Sequence, residues 1–387
     1  MRPDLSTMDT VSPSPGSVVA FQKSDLERLF AVLRERGYTV VGPTVRDEAV
    51  VYDEIERVAD LPIGYVDEQD AGTYRLRRWD KDTYFAYTVG PYAWKKFLYP
   101  PEERLWQVRR ENGSLQFEVE PLPSVQYAFI GVRACELAAI RIQDQIFTGG
   151  PYVDTRYQAR RERLFILAVN CTRAGGTCFC ASVGTGPQVD RGYDIALTEL
   201  EDVFIAQVGT PLGGHILADV PHRMATEDEI ATARQRVEAA ARQMGRSLDT
   251  TDLRDLLYSR LEHPQWDDVA SRCLACTNCT LVCPTCFCFT VEDMTDLQGE
   301  EAWRVRRWDS CFSQEFTYTA GHPIRQSIKA RYRQWLTHKL AGWVDQFGVL
   351  GCVGCGRCIT WCPAQIDITE EVARLREQPT QSERSEP

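Results

Sequence analysis

Two continuous apolar stretches set the pattern of the first part of the chain, Val125–Ile130 and Leu164–Val169. Short, β-prone and apolar at consecutive positions, they read as strands buried on both faces. The first leads through Gly131-Val132-Arg133-Ala134-Cys135 into a helical pattern from Glu136 to Phe147, and the second runs straight into Asn170-Cys171. Strands that feed helices predict a parallel α/β sheet, with functional groups gathered in loops at the carboxyl ends of its strands. Upstream, Leu26, Leu29, Phe30 and Leu33 recur at helical spacing behind the capping-box pattern Ser24-Asp25-Leu26-Glu27, and Gly37 marks a stop. Tyr38–Val41, Tyr74–Arg78 and Thr83–Val89 read as strands, and Tyr92–Leu98 as a short helix closed by Tyr99-Pro100-Pro101. Residues 193–218 read as three short strands, and Thr226–Gly245 and Thr250–His263 as helices.

Beyond residue 263 the periodicity becomes mainly helical. Ile324, Ile328, Trp335, Leu340, Trp343 and Phe347 fall on or near one helical stripe, and Arg325, Lys329 and Arg333 on another. The pattern predicts a mixed α/β domain over 21–263 and a helical ferredoxin-like domain over 264–376. Polar, structureless segments are expected at 1–20 and 377–387.

The second domain is framed by a repeated motif. Cys273-Leu-Ala-Cys276-Thr-Asn-Cys279-Thr-Leu-Val-Cys283-Pro284 is echoed by Cys352-Val-Gly-Cys355-Gly-Arg-Cys358-Ile-Thr-Trp-Cys362-Pro363. Both read C-x2-C-x2-C-x3-C-P, the run that binds [4Fe–4S] clusters, with the fourth Cys of each run serving the other cluster. Cys273, Cys276, Cys279 and Cys362 are therefore expected on one cluster, and Cys352, Cys355, Cys358 and Cys283 on the other. Paired four-cysteine zinc sites are the competing reading, but these usually place their cysteines in two pairs joined by a longer loop. Residues 304–339 carry eight Lys or Arg against two Asp or Glu. They read either as a basic helix offsetting the charge of an anionic cluster or as a solvated helix face.

Composition narrows the function classes. The 387 residues carry a net charge of −11, which argues against a nucleic-acid binder. No apolar run approaches membrane-spanning length, and no signal segment opens the chain, so a cytoplasmic protein without membrane insertion is expected. Fifteen cysteines in a reducing compartment point to metal or redox chemistry. No phosphate-binding loop or dinucleotide fingerprint appears, so no flavin or nucleotide is expected on this chain. Gly184-Thr185-Gly186-Pro187 reads as a turn. The five His show no metal-ligand spacing.

Seven cysteines lie outside the runs. Cys135, Cys171, Cys178 and Cys180 are predicted to converge at one edge of the α/β sheet, as a third cluster site or as small core residues. Cys286, Cys288 and Cys311 read as packing beside the clusters, as a ligand set with Asp309, or as a redox dithiol. The last possibility makes a thiol–disulfide reductase a rival function. An iron–sulfur redox sensor is another, although no DNA-binding motif accompanies it.

Several segments together resemble a known family. Arg272–Cys283 continued by Pro-Thr-Cys286-Phe-Cys288-Phe289, Gly131-Val-Arg-Ala-Cys135-Glu, Asn170-Cys171, Thr177-Cys-Phe-Cys-Ala-Ser-Val-Gly-Thr-Gly-Pro187, Trp308-Asp-Ser-Cys311 and Cys352–Cys358 look like the beta subunit of cytoplasmic NAD(P)-linked [NiFe] hydrogenases, or sulfhydrogenases. They are also similar to the electron-transfer subunit of anaerobic sulfite reductase. The matches span residues 125–365. The resemblance implies a non-catalytic electron-transfer subunit. Its partners would be an FAD/NAD(P)-binding reductase subunit, with either the small and large hydrogenase subunits or a sirohaem sulfite reductase subunit.

Overall fold

The consecutive apolar runs form the central strands of an eight-stranded sheet in a computed structural model that describes residues 12–377. In chain order the first elements are β1 (Val18–Gln22), α1 (Leu26–Glu35), β2 (Thr39–Arg46), β3 (Ala49–Glu54), β4 (Tyr65–Asp70) and β5 (Thr73–Arg78). They are followed by α2 (Lys95–Leu98), β6 (Glu102–Glu111), β7 (Ser114–Val119), β8 (Tyr127–Val132), α3 (Ala134–Phe147), α4 (Thr155–Arg161) and β9 (Phe165–Val169). The region closes with β10 (Ile195–Glu199), β11 (Val203–Val208), α5 (Pro211–Leu217), β12 (Arg223–Met224), α6 (Glu227–Arg242) and α7 (Leu253–Ser259). The sheet order is β12-β1-β11-β10-β9-β8-β2-β3. Strands β2, β8, β9 and β10 are parallel, and antiparallel strands flank them.

Several local expectations change. Residues 18–20, expected in a structureless lead, belong to β1, where Val19 and Ala20 are buried. The rest of that lead up to residue 11, and the tail from 378, lie outside the described residues. The capping box at Ser24 does not form. A single 3-10 turn, Lys23–Asp25, precedes α1, and Glu27 instead accepts from Val58 N at 2.9 Å. The third strand expected in 193–218 is α5, capped by Thr210 with Pro211 in its first turn.

Thr83–Val89 is buried but joins no strand. Beyond Thr83 its backbone is met by side chains: Glu199 accepts from Tyr84 N and Phe85 N, Asp67 accepts from Thr88 N, and Arg133 donates to the carbonyls of Phe85 and Tyr87. Buried backbone must be paired, and here buried charges do what a neighbouring strand would otherwise do.

The remaining elements are α8 (Gln265–Arg272), α9 (Asn278–Leu281), β13 (Phe289–Thr295), β14 (Glu301–Trp308), α10 (Ile328–Thr337), α11 (Trp343–Phe347), α12 (Arg357–Thr360) and α13 (Ile368–Arg376). The wide π turn His338–Gly342 joins α10 to α11. The segment between the two Cys runs is thus only partly helical. Its β13–β14 hairpin pairs with β6–β7 in a four-stranded sheet, β13-β14-β6-β7, so the two sequence regions share one sheet. The C-terminal region packs on a core of Trp266, Tyr332, Trp335, Leu336, Ile359 and Val372, which Phe179, Leu248 and Leu257 of the α/β region help to fill. A smaller core of Cys135, Ile142, Cys180, Trp343, Val353 and Cys355 joins it to the α/β region.

Candidate iron–sulfur centres

The two Cys runs fold alike. In the first, Ala275 and Thr277 are left-handed, with φ +49° and +69°; in the second, Gly354 and Gly356 occupy the same places at +62° and +77°. One short helix starts just before the third Cys of each run, α9 and α12. The alternation of left- and right-handed residues curls each run so that its cysteines face inward. Ala275 N donates to Cys273 Sγ at 3.4 Å, and Gly354 N to Cys352 Sγ at 3.5 Å.

Two cavities result. The first is lined by Cys273, Cys276 and Cys279 together with Cys362 from the second run, against Phe312, Tyr332, Trp335 and Ile366. The second is lined by Cys352, Cys355 and Cys358 together with Cys283 from the first run. Cys358 also borders the first cavity, so the two share a wall. Ile366 N donates to Cys362 Sγ at 3.4 Å, giving the first cavity a second amide-to-sulfur contact. Among the described residues, no three His, Cys, Asp or Glu side chains converge as the ligands of one metal ion do. Four soft sulfur donors spread over the wall of a mostly apolar cavity suit a polynuclear iron–sulfur group better than a single zinc ion.

Cys135, Cys171, Cys178 and Cys180 occupy one neighbourhood. Cys135 sits in the first turn of α3, after β8, and Cys171 just beyond β9. Burial pushes all four thiols up; Cys178 rises to about 12, with Cys171 adding to it. Cys355 of the second run lies close enough to add to the rise at Cys135, Cys178 and Cys180. The loop carrying Cys178 and Cys180 lies directly on the second run: Phe179 N donates to Gly354 O at 2.9 Å, and Thr185 Oγ1 to Val353 O at 2.7 Å. The Gly184–Pro187 segment is the expected turn, with a cis peptide at Gly186–Pro187.

Cys286, Cys288 and Cys311 fall beside the first run, close to one another and to Cys283. Cys286 meets Cys283, and Cys288 meets Cys311. The contact with Cys286 and the charge of Lys339 hold the Cys283 thiol well below its usual range, while the Cys311 contact lowers Cys288 to about 7. Asp309 accepts from Ser310 N and Ser313 Oγ and so caps a turn.

Charged residues within this region were not singled out by sequence. Lys339 and Lys95 are buried, and among the described residues neither meets a carboxylate. Lys339 Nζ lies 3.1 Å from Cys283 Sγ. Lys95 Nζ sits 4.0 Å above the Trp308 ring and donates to Cys286 O at 3.2 Å; burial lowers it to about 8. Arg357, inside the second run, is fully buried and paired with Glu136 of α3. The signal for Lys339 was its spacing, since Leu336, Lys339, Leu340 and Trp343 share one helical face and a charge there points inward. The basic stretch divides between its two readings: Lys329 pairs with Asp267 at 2.8 Å and Arg333 with Glu262 at 2.9 Å on a solvated face, while Lys339 turns inward.

Residues 272–366 match the family described as 4Fe-4S dicluster domain, which defines the chain as an iron–sulfur protein. It is 33% identical over 291 residues, 73% of this chain and 82% of the relative, to Sulfhydrogenase 2 subunit beta of Pyrococcus furiosus. The chain belongs to the sulfhydrogenase beta-subunit family and is an iron–sulfur electron-transfer subunit. No solved structure matches it. Among the described residues, no helix is long and apolar enough to cross a membrane.

Proposed function

We propose that this chain relays electrons within a cytoplasmic [NiFe] hydrogenase complex through three [4Fe–4S] clusters. Cys273, Cys276, Cys279 and Cys362 would hold one, and Cys283, Cys352, Cys355 and Cys358 the next. Cys135, Cys171, Cys178 and Cys180 would hold a third. The observation that carries this reading is the pair of four-thiol cavities sharing Cys358, with the third thiol set against Cys355. A bound cubane supplies one-electron chemistry, with a potential set by its surroundings. The chain supplies the thiolates, the amide-to-sulfur contacts and a largely apolar enclosure. Buried thiols that raise one another's pKa favour the protonated form, and iron in their midst reverses that preference.

The name of the Pyrococcus furiosus relative supports assembly with other subunits. We assign an FAD/NAD(P)-binding reductase subunit to one end of the relay and the small and large hydrogenase subunits to the other. Nickel in the natively purified complex, together with a flavin subunit, supports this assignment; sirohaem without nickel rejects it.

Anaerobic iron and sulfide quantitation with EPR on the isolated subunit tests the cluster number. About twelve irons per chain is the expected result at four per cluster, and about eight rejects the third site. The ligand partition has its own test. Cys362→Ser is expected to alter the same EPR component as Cys273→Ser, and Cys283→Ser the same component as Cys352→Ser. Cys362→Ser altering the component that Cys352→Ser alters would overturn the crossed arrangement.

A further inference from the structure

The two cavities arise from one repeated motif, yet their charge environments differ. No charged side chain lines the first among the described residues, although the buried Arg331 guanidinium stands near enough to act on Cys273 from behind the wall. Lys339 and Arg357 line the second. The Arg357 charge is balanced by Glu136. Lys339 has no such balance. Its ammonium donates to Cys283 Sγ at 3.1 Å, Thr285 Oγ1 at 2.9 Å and Gly351 O at 3.2 Å, which uses all three of its protons. The side chain is presented by the π turn His338–Gly342, where the helix widens between α10 and α11. Such turns insert a residue into a helix and are frequent at functional sites.

A buried ammonium without a carboxylate is costly unless another anion faces it. Here that anion is sulfur, and Cys352 of the same cavity is also near. We propose that Lys339 is a positioning residue that raises the reduction potential of the group held by Cys283, Cys352, Cys355 and Cys358. The proposal rests on the cluster assignment above. Its physical basis is simple: reduction adds negative charge, and a fixed cation in contact with a ligand sulfur favours the reduced state. Exposure acts in the opposite sense. Cys276 of the first site is exposed, whereas Cys283 and Cys355 are buried, so water favours added charge at the first site. Lys339 offsets that disadvantage at the second.

The test is an EPR-monitored redox titration of the full chain, with iron and sulfide content measured on each sample. Cys283→Ser and Cys276→Ser identify which reduction step belongs to which site. In Lys339→Met and Lys339→Gln, the step belonging to the Cys283 site is expected to move to lower potential while the Cys276 step stays in place. Iron content is expected to match that of the native chain, and Lys339→Arg to restore most of the shift. The proposal is overturned if the Cys283 step stays in place with iron retained. It is also overturned if both neutral variants lose about four irons, since Lys339 would then hold the site together and would not tune it. A native chain that binds no iron refutes the cluster assignment itself, a distinguishable failure.

Discussion

Glu136→Leu is expected to destabilise the folded chain by about 3–5 kcal/mol, the cost of leaving one member of a buried ion pair without its partner. Glu136 is 1% exposed and Arg357 is fully buried. The carboxylate accepts from four donors: the Arg357 guanidinium, Tyr52 Oη at 2.8 Å, Trp94 Nε1 at 2.9 Å and Arg133 N at 3.1 Å. Arg357 also donates to Gly90 O at 2.9 Å and Tyr92 O at 3.0 Å. Those two neutral contacts hold the guanidinium in place but cannot balance its charge. Glu136→Gln keeps the shape and removes the charge, so it is expected to fall between the native chain and Glu136→Leu. Anaerobic denaturant unfolding followed by far-UV circular dichroism measures the effect. A Glu136→Leu loss below about 0.5 kcal/mol, the range of an ordinary surface substitution, would show that the pair does not couple the two regions.

Gly356→Ala is expected to cost about 2–5 kcal/mol, combining left-handed strain of about 1–2 with overpacking of about 1–3. Gly356 has φ +77°, and a Cβ there would meet Thr177 O at 2.5 Å and Thr177 C at 2.7 Å. These are backbone atoms and cannot rotate away. The expected signature is a loosened contact between the 177–180 loop and the second run, read as faster amide hydrogen exchange at Phe179, whose N–H donates to Gly354 O. Thr277→Gly at the equivalent place in the first run is the control. Thr277 already carries a side chain at φ +69°, so glycine there relieves strain and no such loosening is expected. Equal exchange at Phe179 in native and Gly356→Ala chains would mean that the loop is not held by this close approach.

These contacts explain what the sequence did and did not reveal. The strands at 127–132 and 165–169 and the shared curl of the two Cys runs were legible because their signals are local. Spacing encodes the curl of a Cys run, and consecutive apolar residues encode a doubly covered strand. Thr83–Val89 looked like a strand for the same local reason, but distant Glu199, Asp67 and Arg133 captured its backbone. The α5 segment was misread although Thr210-Pro211 is a helix-start signal. Residues 289–308 form a hairpin because β6, almost two hundred residues upstream, offers an edge to β14. Glu136, Lys95 and Lys339 were invisible as site residues because each acquires its role from a partner remote in sequence. Their common trace was a charge at an otherwise apolar position.

The interleaved lining of the two cavities bears on how the chain matures. Cys362, the last of the fifteen cysteines, lies on the wall of the cavity that the first run begins. During synthesis, Cys273, Cys276 and Cys279 emerge well before it and wait for their fourth neighbour. The second cavity takes Cys283 early and its other three cysteines late. Neither cradle can close around a cargo until the ribosome has delivered both runs. On the ligand sets proposed above, the nascent first run would offer each cluster only part of its thiols, and both sites would be completed in one act of folding.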